Sequence, residues 1–76
     1  MKAYVMIDVR PGSIPEVVDN LRRVEGVREA NMTFGPYDVV SVIETEEVNA
    51  IGRMIAREIQ PIPGILDTLT CLVLDS

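Results

Sequence analysis

The chain has 76 residues, a hydrophobic fraction of 47% and a formal net charge of −5. Its length fits one domain, and with one cysteine and no histidine it has neither an intrachain disulfide nor the ligand set of a tetrahedral zinc site. A single lysine and six scattered arginines argue against DNA or RNA binding by this chain, because nucleic acids are bound by clustered cations.

The small size also bears on assembly and location. A chain this short rarely builds a self-sufficient core, so we expect an oligomer to supply the stability that disulfides or a metal give other small proteins. The start of the chain shows no signal-peptide pattern, and no apolar run approaches the ~20 residues of a membrane-spanning helix. We therefore expect a cytoplasmic homo-oligomer with no cofactor, no metal and no membrane contact.

The first half of the chain predicts a strand, a helix and a second strand. Residues 2–9 alternate their side chains with the period of a strand, which a Pro-Gly turn then breaks. Ser13 and Glu16 have the spacing of a capping box, which predicts a helix that begins there and ends at Gly26. Residues 27–34 have the pattern of the second strand.

The second half predicts a strand, a helix and a last strand. Residues 39–44 are apolar on both faces, which indicates a strand in the interior of the sheet. Thr45 is expected to cap a second helix with an apolar stripe at helical spacing. The stripe consists of Val48, Ile51, Met54, Ile55 and Ile59. Residues 60–64 end this helix, and residues 65–74 form the last strand.

The resulting order, βαββαβ, predicts an α+β fold of the ferredoxin-like kind, in which two helices cover one face of a four-stranded antiparallel sheet. The other face keeps apolar side chains at several positions. These are Tyr4, Met6, Leu66, Leu72 and Leu74, together with one face of the third strand. Monomers rarely expose such a contiguous patch, so we expect two sheets to meet face to face, or sheet edges to pair, in a symmetric dimer.

Two segments of the chain resemble a known family. They are Glu29-Ala30 with Thr33-Phe34-Gly35-Pro36-Tyr37-Asp38-Val39-Val40, and Pro63-Gly64-Ile65 with Thr68-Leu69-Thr70 and Val73-Leu74. The chain is similar to the effector-binding domain of the Lrp/AsnC regulators, also called RAM for regulation of amino acid metabolism. The resemblance covers essentially the whole chain, as a single domain over residues 1–76. Met1 leads directly into the first strand, so we expect a stand-alone form without the family's helix-turn-helix domain.

The resemblance implies a non-catalytic module that binds a free amino acid and assembles. It implies dimerisation through the sheets as a dimeric α/β barrel, assembly of dimers into a larger ring such as an octamer, and binding of the amino acid between dimers. Direct operator binding is not implied, because it belongs to the helix-turn-helix domain. Co-assembly with full-length Lrp/AsnC regulators, as an interaction subunit, is an alternative role.

The turn at residues 35–38 holds the first candidate ligand-binding residues. The Asp38 carboxylate can accept charge-assisted hydrogen bonds from an ammonium group, or it can simply satisfy turn amides. Gly35 and Pro36 are expected to shape the turn, and the Gly35 amide can also face a carboxylate. Tyr37 either lines the pocket or packs at a subunit interface.

Thr68 and Thr70 form a second group, because their side chains share one face of the last strand. Two hydroxyls at this spacing can hold a carboxylate, or a water that bridges to one. The alternative is that they are ordinary β-branched strand residues.

Two other functions are compatible with the same order of elements. An ACT-like regulatory domain binds its amino acid near a turn that corresponds to residues 10–12 here. A small enzyme of ferredoxin-like fold would need an acid–base pair, which the sequence does not suggest, so the chain is not expected to be catalytic.

Overall fold

The computed structural model describes residues 1–75 and has the predicted βαββαβ order. The strands are β1 (Lys2–Val9), β2 (Val27–Met32), β3 (Val39–Glu44) and β4 (Ile65–Leu72). The helices are α1 (Ile14–Arg22) and α2 (Val48–Met54), and α2 continues directly into a π-helical segment, Ile55–Ile59.

All strand pairs are antiparallel, and the order of strands in the sheet is β2-β3-β1-β4. β3 therefore lies in the interior of the sheet, as its two apolar faces predict, while β2 and β4 form the edges. The predicted fold class, a four-stranded antiparallel sheet of the ferredoxin-like kind, is confirmed. None of the helices that residues 1–75 form is long and apolar enough to cross a membrane.

The core lies between the helices and one face of the sheet. Its buried apolar residues are Ala3, Val5, Ile7, Val9, Val17, Val18, Leu21, Ala30, Val39, Ile43, Ile51, Ile55 and Ile59. Every second residue of β1 belongs to this set, so the period-two pattern correctly identifies the face of β1 that meets the helices. The buried Ser41 is accommodated because its hydroxyl donates to the carbonyl of Val5 at 3.4 Å.

The opposite face, which we call the open face, has no helix over it. Directly paired residues of antiparallel strands share a face, and the register around Tyr4 and Met6 identifies the members. The apolar members are Tyr4, Met6, Val40, Val42, Leu69 and Cys71. Leu69 is 50% exposed and Tyr4 is 39% exposed in the single chain. The predicted apolar open face is therefore present.

The predicted membership of that face was wrong for Leu72, and Leu66 and Leu74, predicted with it, are not paired with β1. Leu72 pairs with Ala3, so it lies on the side of the sheet that carries the helices, and Leu69 takes its place opposite Met6. The alternating pattern of β4 separates two faces but does not say which one faces the helices. The register with β1, including an irregularity between Asp8 and Val9, makes that assignment.

Both predicted helix caps were also wrong. Ser13 precedes α1, but its side chain makes no capping hydrogen bond, and its backbone at φ −104° and ψ 1° is not extended as a capping serine requires. Thr45 donates its hydroxyl to the carbonyl of Glu47 at 2.7 Å, and Glu47 is the residue before α2. Val48 consequently lies at the start of α2, where it is 45% exposed and outside the apolar stripe.

Candidate functional site

Asp38 ends the turn between β2 and β3 and fastens it to β1. Its Oδ2 accepts a hydrogen bond from the amide of Val9 at 2.8 Å, and its own amide donates to the carbonyl of Ile7 at 3.0 Å. These two bonds extend the β1–β3 pairing past its last paired residues, Ile7 and Val39. The half-buried carboxylate thus has a structural role through one oxygen. Among residues 1–75, the amide of Val9 is its hydrogen-bond donor.

The rest of the turn is held by Thr33. Its amide donates to the carbonyl of Asp38 at 2.9 Å, and its hydroxyl donates to the carbonyl of Tyr37 at 2.7 Å. Tyr37 is half-buried, whereas Pro36 is exposed. The turn therefore has a fixed backbone with an exposed tip.

Gly35 lies at this tip, and nothing within the chain requires a glycine there. The left-handed φ values that favour glycine occur at Gly12, Gly26 and Gly64, and a Cβ added to Gly35 would meet no atom within 4 Å. The open space around Gly35 leaves its backbone accessible to a molecule outside the chain.

Thr68 and Thr70 lie on edge strand β4, opposite Ile7 and Val5 respectively. Because those two residues face the core, the threonine side chains are on the side of the sheet that carries the helices, at its edge. Thr68 is half-buried and Thr70 is exposed. The predicted sharing of one face by the two threonines is correct.

Sequence reasoning did not single out Gln60, which the apolar stripe of the second helix leaves on the exposed side. Its side-chain Nε2 donates to Oγ1 of Thr68 at 3.3 Å, so the residue belongs to the threonine group. The cause is the π-helical segment, in which the amide of Gln60 bonds to the carbonyl of Ile55 at 2.8 Å. A period of 3.6 residues, applied to the whole helix, cannot place a side chain that comes after such a turn.

The two groups of candidate residues lie on opposite sides of β1. Asp38 is hydrogen-bonded to Ile7 from the β3 side, while Thr68 pairs with Ile7 from the β4 side. Two strand spacings separate their backbones, about 10 Å. The structure thus brings residues 35–38 together, and brings Thr68 and Thr70 together with Gln60, but it does not join the two groups within one chain.

Three surface hollows of the chain lie away from the candidate residues. Three open hollows of about 320, 330 and 420 Å³ lie along the ends of α1 and α2 and beside β2, and none of the three is lined by a candidate residue. Within residues 1–75, no cluster of three histidine, cysteine, aspartate or glutamate side chains is arranged to hold a metal ion. The candidate residues therefore offer hydrogen-bond donors and acceptors at two exposed places.

Comparison with known proteins matches residues 2–76 to the family model of the Lrp/AsnC ligand binding domain. The HTH-type transcriptional regulator FL11 of Pyrococcus abyssi is 38% identical over 77 residues, which include 97% of this chain and 48% of that protein. The chain therefore spans about half the length of this curated relative.

Solved structures agree with this match. A hypothetical protein from Pyrococcus horikoshii is 27% identical, with a TM-score of 0.89 over 97% of this chain and 90% of that one. A transcriptional regulator from Neisseria meningitidis, solved as a complex with L-Met, has the same fold at 17% identity, with a TM-score of 0.86 over 96% of this chain and 49% of that one. Because the family model covers nearly every residue, this chain belongs to the Lrp/AsnC ligand-binding domain family.

Proposed function

We propose that the chain is a non-catalytic, oligomeric module that binds a free amino acid at a seam between copies and thereby regulates transcription. The observation that carries the proposal is the separation of the candidate residues. Acceptor chemistry lies at Asp38 and donor chemistry lies at Thr68 and Thr70, with β1 between them.

The separation matters because of the size of an amino acid. Its ammonium and carboxylate groups are attached to one carbon atom, whereas the backbones that carry Asp38 and the two threonines are about 10 Å apart, with β1 between them. One copy can instead supply Asp38 for the ammonium group, while another copy supplies Thr68 and Thr70 for the carboxylate. The exposed backbone at Gly35 is compatible with such a close approach between copies.

The open face supports assembly independently of the ligand. Its apolar side chains have no cover in the single chain, and a second copy packed sheet against sheet would bury them as a dimeric α/β barrel. Dimers joined through the turn at residues 35–38 would then form a larger ring, such as an octamer. Tyr37 would pack at this seam, and Pro36 would help to hold the turn.

The ligand class rests on the family and on one relative. The family is defined as a ligand-binding domain, and the Neisseria meningitidis regulator was solved with L-Met bound. An α-amino acid fits an acceptor at one place and neutral donors at the other. Regulation of transcription would follow if the ligand stabilises one assembly over another.

The test is a titration of the purified chain with each of the twenty L-amino acids, followed by melting temperature and sedimentation velocity. An amino acid that binds the assembly raises the melting temperature by mass action and shifts the distribution of oligomers. If all twenty leave both quantities unchanged, the chain is not an amino acid sensor.

A second candidate function is co-assembly with a full-length regulator. It is favoured by the match to FL11, because 97% of this chain aligns with about half of a protein that is described as HTH-type. Affinity capture from an extract of the source cells, followed by mass spectrometry, tests this role, and recovery of this chain alone would exclude it.

A further inference from the structure

We propose that Gln60 is a ligand-contacting residue, whose side-chain amide donates a hydrogen bond to the carboxylate of the bound amino acid. This inference rests on the proposed function and adds a residue to the donor side of the same site. It comes from the contact between Gln60 Nε2 and Thr68 Oγ1 at 3.3 Å.

The π-helical segment creates this contact. The bond from the amide of Gln60 to the carbonyl of Ile55 spans five residues in place of four. One extra residue in the turn rotates the residues after it by roughly 100° relative to a regular α-helix. Gln60 is thereby turned toward edge strand β4, and π-helical turns are frequent at functional sites.

The hydrogen-bond donors of Gln60, Thr68 and Thr70 suit a carboxylate ligand. The amide of Gln60 has two N–H groups, and one of them is directed at Thr68. Because Thr68 Oγ1 accepts that bond, its own hydroxyl proton can point elsewhere. The second N–H of Gln60 and the hydroxyls of Thr68 and Thr70 together offer three neutral donors.

The exposure of the cluster fits this role. Gln60 and Thr70 are exposed, and Thr68 is half-buried, so the donors can be reached from outside the chain. A side chain needed only to hold the end of the helix would not have to aim its amide at a hydroxyl on the neighbouring strand. The polarity also complements Asp38, which offers an acceptor to the ammonium group.

Three variants of the full chain test the assignment: Gln60→Ala, Gln60→Glu and the control Asn49→Ala, which changes an exposed amide on α2. Binding of the twenty L-amino acids, and of the primary α-amides of those that bind, is measured by isothermal titration calorimetry. The α-amide keeps the ammonium group but replaces the carboxylate, so the difference in affinity between acid and amide reports on the donor side.

We expect Gln60→Ala to weaken binding of the amino acid about tenfold, the loss of one hydrogen bond to a charged group, and to weaken binding of the α-amide much less. Gln60→Glu should weaken binding of the amino acid further, because a second carboxylate repels the first. Asn49→Ala should bind like the wild type. Melting temperatures without ligand identify any variant that fails to fold.

The remaining outcomes separate the two proposals. If the wild type binds no amino acid, the sensor function and the role of Gln60 fall together. If the wild type binds but Gln60→Ala binds equally well, the function stands and the assignment of Gln60 is wrong. If Gln60→Glu binds like the wild type while Gln60→Ala is weak, Gln60 only orients Thr68, since a glutamate can still accept from its hydroxyl, and direct contact is excluded.

Discussion

At the scale of single residues, Asp38 combines a structural hydrogen bond with the negative charge of its carboxylate. One carboxylate oxygen accepts from the amide of Val9, which fastens the turn to the sheet. An asparagine has an oxygen that can make the same bond, but it carries no charge. The two roles can therefore be separated by one substitution.

We expect Asp38→Asn to keep the fold and to lose most of the affinity for an amino acid. The change in the free energy of unfolding should be within about 1 kcal/mol, because the bond to Val9 survives as a neutral one. Affinity should fall at least about tenfold, because the ammonium group loses a charged acceptor. Chemical denaturation and calorimetric titration measure the two effects, and equal affinity in the variant would leave Asp38 with the structural role alone.

Glycines at two turns should respond differently to the same change. Gly64 has φ +99°, and a Cβ there would lie 2.8 Å from Cβ of Ser13, so Gly64→Ala should lower the free energy of unfolding by about 1–3 kcal/mol. Gly35→Ala is the matched control and should change it by less than about 1 kcal/mol, because Gly35 has neither constraint. Urea denaturation compares the pair, and equal losses would contradict the local geometry.

The residue scale also shows what sequence can and cannot predict. The Gly-Pro-Tyr-Asp turn and the shared face of Thr68 and Thr70 follow from turn chemistry and period two. That Asp38 bonds to Val9, 29 residues away, could not be predicted, because it depends on the packing of β1 beside β3. The contact of Gln60 with Thr68 could not be predicted either, because the helix becomes π-helical before it reaches Gln60.

At the scale of elements, the edge strand β2 is protected by α1. The guanidinium Nε of Arg22 donates to the carbonyl of Ala30 at 3.0 Å. An edge carbonyl without a partner is a place where another strand can pair, so this bond occupies a position that would otherwise promote association. On the other edge strand, β4, a side chain likewise occupies a backbone group, because Asp67 Oδ1 accepts a hydrogen bond from the amide of Thr68 at 2.9 Å.

Arg22→Ala should therefore affect both stability and solubility. We expect a loss of about 1 kcal/mol from the hydrogen bond, and faster growth of large aggregates on heating as the β2 edge becomes available. Arg23→Ala is the control, since the Arg23 guanidinium bonds to the nearby Asn20 side chain at 3.3 Å on the exposed surface. Light scattering during a thermal ramp compares them, and identical aggregation rates would show that Arg22 does not guard the edge.

Element order and the interior position of β3 were predictable because hydrophobic periodicity is a local property. The start of α1 directly after Ser13 was also predictable, although the capping bond was not. The second helix begins at Val48 and not directly after Thr45, whose hydroxyl donates to the carbonyl of Glu47. The face of β4 depends on its register with β1, which is a non-local property, and this explains why Leu72 was assigned to the wrong side.

At the scale of the whole molecule, the open face is the feature that most limits how the chain can exist alone. It joins apolar side chains from three adjacent strands, β3, β1 and β4, while Glu29 and Asn31 make its β2 side polar. A dry centre with a polar rim is the usual arrangement of a protein interface. Charge placed in that centre should oppose association.

If copies of the chain assemble through the open face as we propose, Leu69→Asp should convert the assembly to smaller species, because a carboxylate would be buried without a partner. Val48→Asp introduces the same charge at a residue of similar exposure, 45% against 50%, at the start of α2, and should leave the assembly intact. Sedimentation velocity at equal concentrations compares the variants. An unchanged sedimentation coefficient for Leu69→Asp would mean that subunits associate through another surface.

The division of the candidate residues by β1 has a quantitative consequence for how such a protein would respond in a cell. If two copies each contribute half of the contacts, occupancy depends on the abundance of the protein as well as on the level of the amino acid. Dilution would make the response less sensitive, and increased synthesis would make it more sensitive. Expression level would then act as a second input to the same signal.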